Sequence, residues 1–290
     1  MNHILENEAL TVQIKETGAE VSSVRQKENG HEYIWQADPE VWPRHAPILF
    51  PIVGRLKDDR YRSGGKTFQM RQHGFARERS FNVLEQTRNR LTFGLTADAD
   101  SMDQYPYNFV LDVAYTLQDN ALLVEYTVSN KDQQTMPFSI GAHPAFATPS
   151  VLDQQMQEYW LEFEQPETLD RHLIIDGLRS GETKRLLENE QTLPLHPKLF
   201  EQDAIVFKNV QSGKVSLVSR SSGKKLVEME ITGFPYLGIW QKVGADFICI
   251  EPWYGLADEH DFDGELTDKE GILLLEPEKS FHCSYTIRFL

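Results

Sequence analysis

The chain has little cysteine, little positive charge and no long apolar run. Two cysteines in 290 residues, Cys249 and Cys283, cannot build a disulfide framework. Both sit in strand-like apolar runs and read as small core residues in a reducing compartment. Lys and Arg number 29 against 44 Asp and Glu, a formal net charge of −15. That balance argues against a general nucleic-acid binder, which needs a basic face to neutralise phosphates. No stretch approaches the ~18 apolar residues of a membrane span. The opening Met1-Asn2-His3-Ile4-Leu5-Glu6 lacks the basic start and apolar run of a signal peptide. A soluble cytoplasmic protein, engaging neither nucleic acid nor membrane, is expected. Helical periodicity is scarce too: only Asp98 to Gln104 and Val151 to Gln157 could each form a short helical turn. Without strand–helix alternation, a doubly wound α/β fold is disfavoured. Also missing are a Gly-rich phosphate loop, a G-x-S-x-G elbow, a C-x-x-C pair and an H-E-x-x-H motif.

What is present is aromatic and alternating. The hydrophobic fraction is 40%, with 16 Phe, 10 Tyr and 5 Trp, enough for a large core and incompatible with a wholly disordered chain. Phe109, Leu111, Val113, Tyr115 and Leu117 alternate with Val110, Asp112, Ala114 and Thr116. After Asp119-Asn120, a second run places Leu122, Val124, Tyr126 and Val128 on one face. The spacing predicts a long β-hairpin with one buried side. The same period appears at Leu10/Val12/Ile14, Leu91/Phe93/Leu95, Val215/Leu217, Val227/Met229/Ile231 and Cys283/Tyr285/Ile287/Phe289. Glu28-Asn29-Gly30, Ser63-Gly64-Gly65 and Ser221-Ser222-Gly223 punctuate the runs. No repeat, low-complexity tract or linker divides the chain. One all-β domain over residues 1–290 is expected, a large antiparallel two-sheet β-sandwich with minor helix.

Three short segments carry residues that a plain sandwich does not require: Arg71-Gln72-His73-Gly74-Phe75-Ala76-Arg77, Gly141-Ala142-His143-Pro144-Ala145-Phe146 and Cys249-Ile250-Glu251-Pro252-Trp253-Tyr254-Gly255. Each sets an ionisable residue beside Gly or Pro and an aromatic, where a strand ladder should break and a side chain can face a cleft. Glu251 directly follows the apolar run Phe247-Ile248-Cys249-Ile250, and a carboxylate at the end of a buried strand is costly unless partnered or useful. Taken singly, a histidine beside glycine or a strand-end glutamate is more often a structural residue.

With Gly54-Arg55 ahead of them, these motifs stand in an order that resembles the aldose 1-epimerases, or galactose mutarotase-like proteins, and within them the LacX-type branch. The resemblance runs nearly end to end, through Lys269-Glu270-Gly271-Ile272. It implies a β-sandwich of the galactose mutarotase-like supersandwich type, a hexose held on a concave face, and cofactor-free interconversion of α and β anomers at C1. By position it makes Glu251 the general base, His143 the general acid and His73 a second active-site histidine. It places Asp203, Arg55 and Arg77 at the sugar, while Trp240 and Trp253 offer aromatic faces to its C–H surface. The Gly141-Ala142-His143-Pro144-Ala145-Phe146 segment is less polar than in better-known galactose mutarotases, which leaves galactose preference open.

The chemistry needs these residue types. Opening a pyranose removes the C1 hydroxyl proton and protonates the ring oxygen; rotation about C1–C2 and reclosure give the other anomer. A carboxylate suits the first transfer and an imidazolium the second. Three other readings compete. Between Arg55 and Arg79, eight basic residues (Arg55, Lys57, Arg60, Arg62, Lys66, Arg71, Arg77 and Arg79) face only Asp58, Asp59 and Glu78, so 8 − 3 gives a local charge of +5 that could receive a hexose 6-phosphate. The run from Glu259 to Glu270 nearly fits a calcium loop, and His73, His143 and Glu251 could form a metal triad; no metal is expected. A non-catalytic carbohydrate-binding module would keep the aromatics, Arg55 and Asp203, but would not need Glu251 and His143 together.

Overall fold

Alternating apolar residues become alternating burial, and alternating burial makes a sheet. The structure, a computed structural model, describes residues 1–148 and 158–290. In the expected hairpin, Phe109–Gln118 pairs antiparallel with Ala121–Asn130 around Asp119-Asn120, and Gln118 faces Ala121. The strands Leu10–Lys15, Arg90–Thr96, Lys214–Ser219, Lys225–Glu230 and Ser280–Phe289 occupy the other period-two runs. Helix is confined to Ala99–Gln104 and a few single 3₁₀ turns among the described residues. Asp98 starts that helix by accepting from Ser101 N–H, while Ser101 Oγ accepts from Asp98 N–H, a reciprocal capping box. The second expected helical turn, Val151 to Gln157, lies outside the described residues.

All pairings between strands are antiparallel, and most strands join one long sheet. At one end lie Ile48–Leu49, Ile140–Ala142, Phe247–Tyr254 and Tyr236–Trp240; at the other lie Ala121–Asn130, Phe109–Gln118, Arg90–Thr96 and Asn82–Gln86. The two ends meet. Phe50, beside the first strand, packs on Phe109 with ring centroids 5.1 Å apart. The sheet therefore folds back on itself, and the buried cluster between its faces runs from Leu5 to Phe289. Cys249 is buried and Cys283 half-buried, both as free thiols.

One strand organises the functional region. Phe247–Tyr254 pairs on one edge with Tyr236–Trp240 and on the other with two short strands, Ile140–Ala142 and Ala145–Ala147. The registers Gly141↔Trp253 and Ala145↔Cys249 put the break between those short strands, His143-Pro144, directly across from Glu251. Proline offers no N–H to the ladder, and His143 N–H turns away to Pro47 O. Glu251, Trp253 and Cys249 share one face of their strand by the period of two. Two glycines make room there for the indole. A Cβ on Gly141 would stand 2.6 Å from Trp253 Cδ1, and one on Gly238 would stand 2.5 Å from Cη2 and Cζ2 of the same ring.

Trp253 is buried, so it has little room to yield. Gly238→Ala is expected to destabilise the protein by ~1–3 kcal/mol, the usual cost of overpacking. Urea unfolding followed by tryptophan fluorescence measures it; an unchanged midpoint would mean that the ring shifts freely.

Candidate active site

A cavity of about 530 Å³ opens over this part of the sheet. Seven of the eight residues singled out from the sequence line it: Glu251, His143, His73, Arg77, Asp203, Trp240 and Trp253. Its floor is the pair set opposite one another by register. His143 Nε2 lies 3.4 Å from Glu251 Oε2, with the histidine 7% and the glutamate 1% exposed. Neither carboxylate oxygen has a hydrogen bond of good geometry. His143 Nδ1 has no partner either, and aromatic contacts hold the ring. Trp42 stacks on it at 5.1 Å and 25°, while Trp240 and His73 meet it edge-on at 5.5 and 5.7 Å.

His73 is fixed by a two-way exchange with Gly54. Its N–H donates to Gly54 O at 2.9 Å, and Gly54 N–H donates to His73 Nδ1 at 3.1 Å. An accepting Nδ1 assigns the ring proton to Nε2. His73 is therefore neutral with its ring proton on Nε2, and the Gln72 amide beside it must turn its oxygen, not its nitrogen, toward that proton. Asp203 stands exposed on a turn at the cavity edge, with φ of 65° and Oδ1 accepting from Ala204 N–H at 2.7 Å. That turn is held from beneath by Arg171, a buried side chain that donates to Leu199 O, Gln202 O and Ala204 O.

Burial dominates the electrostatics. It raises the Glu251 carboxyl well above the usual carboxylate range, helped by the Asp203 charge and opposed by the Trp253 indole N–H. It pushes His143 down to about 3, with Arg77 adding repulsion, the backbone carbonyl of His143 opposing, and Arg44 adding further repulsion. His73 is lowered well below its ordinary value, first by burial and then by His143, Arg77 and Arg44. Arg77 itself falls to about 10 through burial and the neighbouring Arg44 charge. Both members of the Glu251–His143 pair thus favour their neutral forms.

Arg55 departs from its expected place at the sugar. It does not line the cavity; its guanidinium holds Asp59 at 2.9 and 3.0 Å and donates to Asp176 O at 3.1 Å. Asp176-Gly177 is the turn of a long hairpin, Tyr159–Ile175 and Leu178–Pro194, whose tip supplies Ile174, Gly177 and Arg179 to the cavity wall. Arg55 pins that tip. The expected basic patch also changes character. Arg60 pairs with its neighbour Asp58, while acids from outside the segment fold against Arg62 and Arg79: Asp263 on the first, Asp98 and Asp100 on the second. Of its eight basic residues only Arg77 reaches the cavity, where it joins Arg44, Arg179 and Lys242.

Trp42, Arg44, Arg171, Arg179 and Lys242 were not singled out from the sequence. Trp42-Pro43-Arg44 did carry a signal, an aromatic and a cation flanking a proline; the others sit in ordinary polar surroundings. Glu259 and Glu270, the first and last positions of the calcium-like run, are ion-paired to Arg179 at 3.2 and 2.6 Å. The metal triad drawn from the sequence is also altered. Among the described residues, the group whose ligand atoms converge within 4.8 Å is His143, Cys249 and Glu251, with Cys249 in place of His73.

The aldose 1-epimerase family model matches residues 2–272. The chain belongs to the aldose 1-epimerase family. The plasmid-encoded LacX protein of Lactococcus lactis subsp. lactis is 38% identical over 296 residues, covering 99% of this chain and 98% of that protein. A galactose mutarotase related enzyme from Lactobacillus acidophilus superimposes with a TM-score of 0.95 at 34% identity, covering 100% of this chain and 97% of that one. A galactose mutarotase-like protein from Lactobacillus casei ATCC 334 gives a TM-score of 0.95 at 33% identity, with both chains fully covered. The galactose mutarotase-like fold expected from the sequence is therefore present in this member. No helix among the described residues is long and apolar enough to cross a membrane.

The histidines provide a direct check on the electrostatics. Depressed values mean that protons add only in strong acid, so the neutral imidazole signals of His73 and His143 should persist as pH falls through ~6.5, where an ordinary histidine half-titrates. Nitrogen-15 NMR of the imidazoles measures this; a midpoint near ~6.5 for either ring would contradict their desolvation.

Proposed function

We propose that this family member is a mutarotase that interconverts the α and β anomers of an aldohexose by acid–base ring opening, without a cofactor. The observation that carries this reading is the Glu251–His143 pair, buried face to face at 3.4 Å on the floor of a cavity large enough for a small ligand. A protein that only bound sugar would have no use for a desolvated acid–base pair.

In the proposed reaction, Glu251 as carboxylate takes the C1 hydroxyl proton while His143 as imidazolium gives its proton to the ring oxygen. The C1–O5 bond breaks, the C1–O1 bond becomes the aldehyde carbonyl, and rotation about C1–C2 precedes reclosure by the reverse transfers. Moving one proton from Glu251 to His143 arms the site with no change in net charge. Burial makes the armed groups strong: a carboxylate with a raised pKa is a better base, and an imidazolium with a lowered pKa a better acid. Once the ring is open, Glu251 is protonated and His143 neutral, the state that burial of the pair favours. His73, a donor through Nε2, orients the sugar oxygens, and Asp203 binds hydroxyls at the rim. Trp240 and Trp253 supply apolar faces.

Glutamine resembles the neutral form of Glu251 in shape and charge, so Glu251→Gln should leave folding and sugar binding largely intact. Its mutarotation rate, followed by polarimetry of freshly dissolved α-glucose and α-galactose, is expected to fall ~10²-fold or more. His143→Asn should fall similarly. The double variant should be less than additive, because both groups act in one transfer. Near-wild-type rates from a folded Glu251→Gln protein would overturn the assignment.

A second reading concerns the substrate and is favoured by the cationic wall. Arg44 and Arg77 lie within 4.0 Å of one shared carboxylate, Glu78; Arg77 Nε is buried and makes no hydrogen bond, and Lys242 lies on the same cavity. This replaces the broad basic patch with a compact anion receptor suited to a hexose phosphate. Arg77→Gln should raise the KM for glucose 6-phosphate ~10-fold or more, the worth of one charge-assisted hydrogen bond, and leave that for glucose nearly unchanged. Equal effects on both sugars would assign Arg77 to structure alone.

A further inference from the structure

The acid–base chemistry leaves one buried group unused. Cys249 lies two residues before Glu251 on the same strand face and pairs by register with Ala145 and Trp240. It does not line the cavity, yet its sulfur, a ring nitrogen of His143 and an oxygen of Glu251 all lie within 4.8 Å of one another. All three side chains are more than nine-tenths buried. Both Glu251 oxygens lack a well-formed hydrogen bond, an unusual state for a buried carboxylate. We propose that Glu251, His143 and Cys249 form an inhibitory site for a zinc-class divalent cation, which bridges the acid–base pair and stops sugar turnover. The inhibitory consequence rests on the mutarotase reading; the binding does not.

The geometry suits a tetrahedral ion. Zinc holds nitrogen and oxygen ligands at ~2.0–2.2 Å, so two of them stand ~3.4 Å apart along a tetrahedral edge. His143 Nε2 and Glu251 Oε2 already lie 3.4 Å apart. A zinc-bound sulfur at ~2.3 Å stands ~3.6 Å from such a nitrogen, so the Cys249 sulfur closes by at most ~1.2 Å, within the swing of its single χ1 torsion. Binding releases the thiol proton and the Glu251 proton to solvent, while neutral His143 donates its Nε2 lone pair. The fourth position faces the cavity, open to water or to the C1 hydroxyl. A sulfur–nitrogen–oxygen donor set selects Zn²⁺ or Co²⁺ over Mg²⁺ or Ca²⁺.

Two features make the ion exchangeable rather than resident. His143 Nδ1 has no acceptor to fix it, whereas metal-bound histidines almost always have one. Arg44 and Arg77 also place positive charge near the same histidine. The site is thus a block that a chelator lifts.

The experiment uses the full chain stripped with EDTA. Equilibrium dialysis should find one Zn²⁺ bound per chain, and Co²⁺ should give a near-ultraviolet thiolate charge-transfer band. Zn²⁺ should stop glucose mutarotation, EDTA should restore it, and Mg²⁺ should do nothing. Cys249→Ala and the near-isosteric Cys249→Ser should turn over glucose without metal as the parent does. Both should lose the cobalt band and weaken zinc inhibition ~10-fold or more, since loss of even an outer-shell partner costs that much. Absence of the band in the parent, or unchanged zinc inhibition in both variants, overturns the proposal. One bound Zn²⁺ with the band, in a protein that turns over no sugar, would sustain the site and sink the mutarotase reading instead.

Discussion

Glu251 is almost fully buried, and much of the site follows from that. A carboxylate taken out of water must be partnered by a charge, bonded by several donors, or neutral. Here the cationic side chains of the wall stand against the histidines, and no donor forms a good bond to the carboxylate oxygens. Neutrality is what remains, and the histidine opposite is neutral for the same reason. Trp42 and Trp240 then hold the His143 ring, one by stacking and the other by edge contact.

Much of this was legible in the chain. Period-two alternation located the Phe109–Val128 hairpin and the strands near Leu10, Phe93, Leu217, Met229 and Tyr285, because one face of each carries its large apolar side chains into the core. The break at His143-Pro144 and the carboxylate after Phe247–Ile250 were legible for a related reason: a proline and a charge both interrupt a buried ladder. That residue 143 faces residue 251 was not legible. Register between strands more than a hundred residues apart depends on the whole sheet, and no local pattern encodes it.

The misreadings share a cause. The +5 segment between Arg55 and Arg79 was counted along the sequence, where neighbours are chain neighbours. Folding brings Asp98, Asp100 and Asp263 against it and dissolves the patch. The cationic wall draws on Arg44, Arg77, Arg179 and Lys242, each unremarkable in its own stretch. In the hairpin Tyr159–Ile175 and Leu178–Pro194, the second strand is polar and mostly exposed and four register shifts interrupt the pairing, so only Tyr159, Leu161 and Phe163 carry a clean alternation.

That hairpin divides the labour of the cavity. Glu251 belongs to a strand paired on both edges, and His143 to the short break between the two strands that pair with it. The wall at Ile174, Gly177 and Arg179 belongs to a hairpin tip held mainly by side chains: Arg55 grips Asp176 O, and Arg179 holds Ala257 O, Glu259 and Glu270. A change of length or side chain at that turn reshapes what the cavity admits and leaves the proton-bearing pair where it is. A substitution at Gly177 or its turn neighbours therefore alters the cavity wall without touching the strand pairing that sets Glu251 opposite His143.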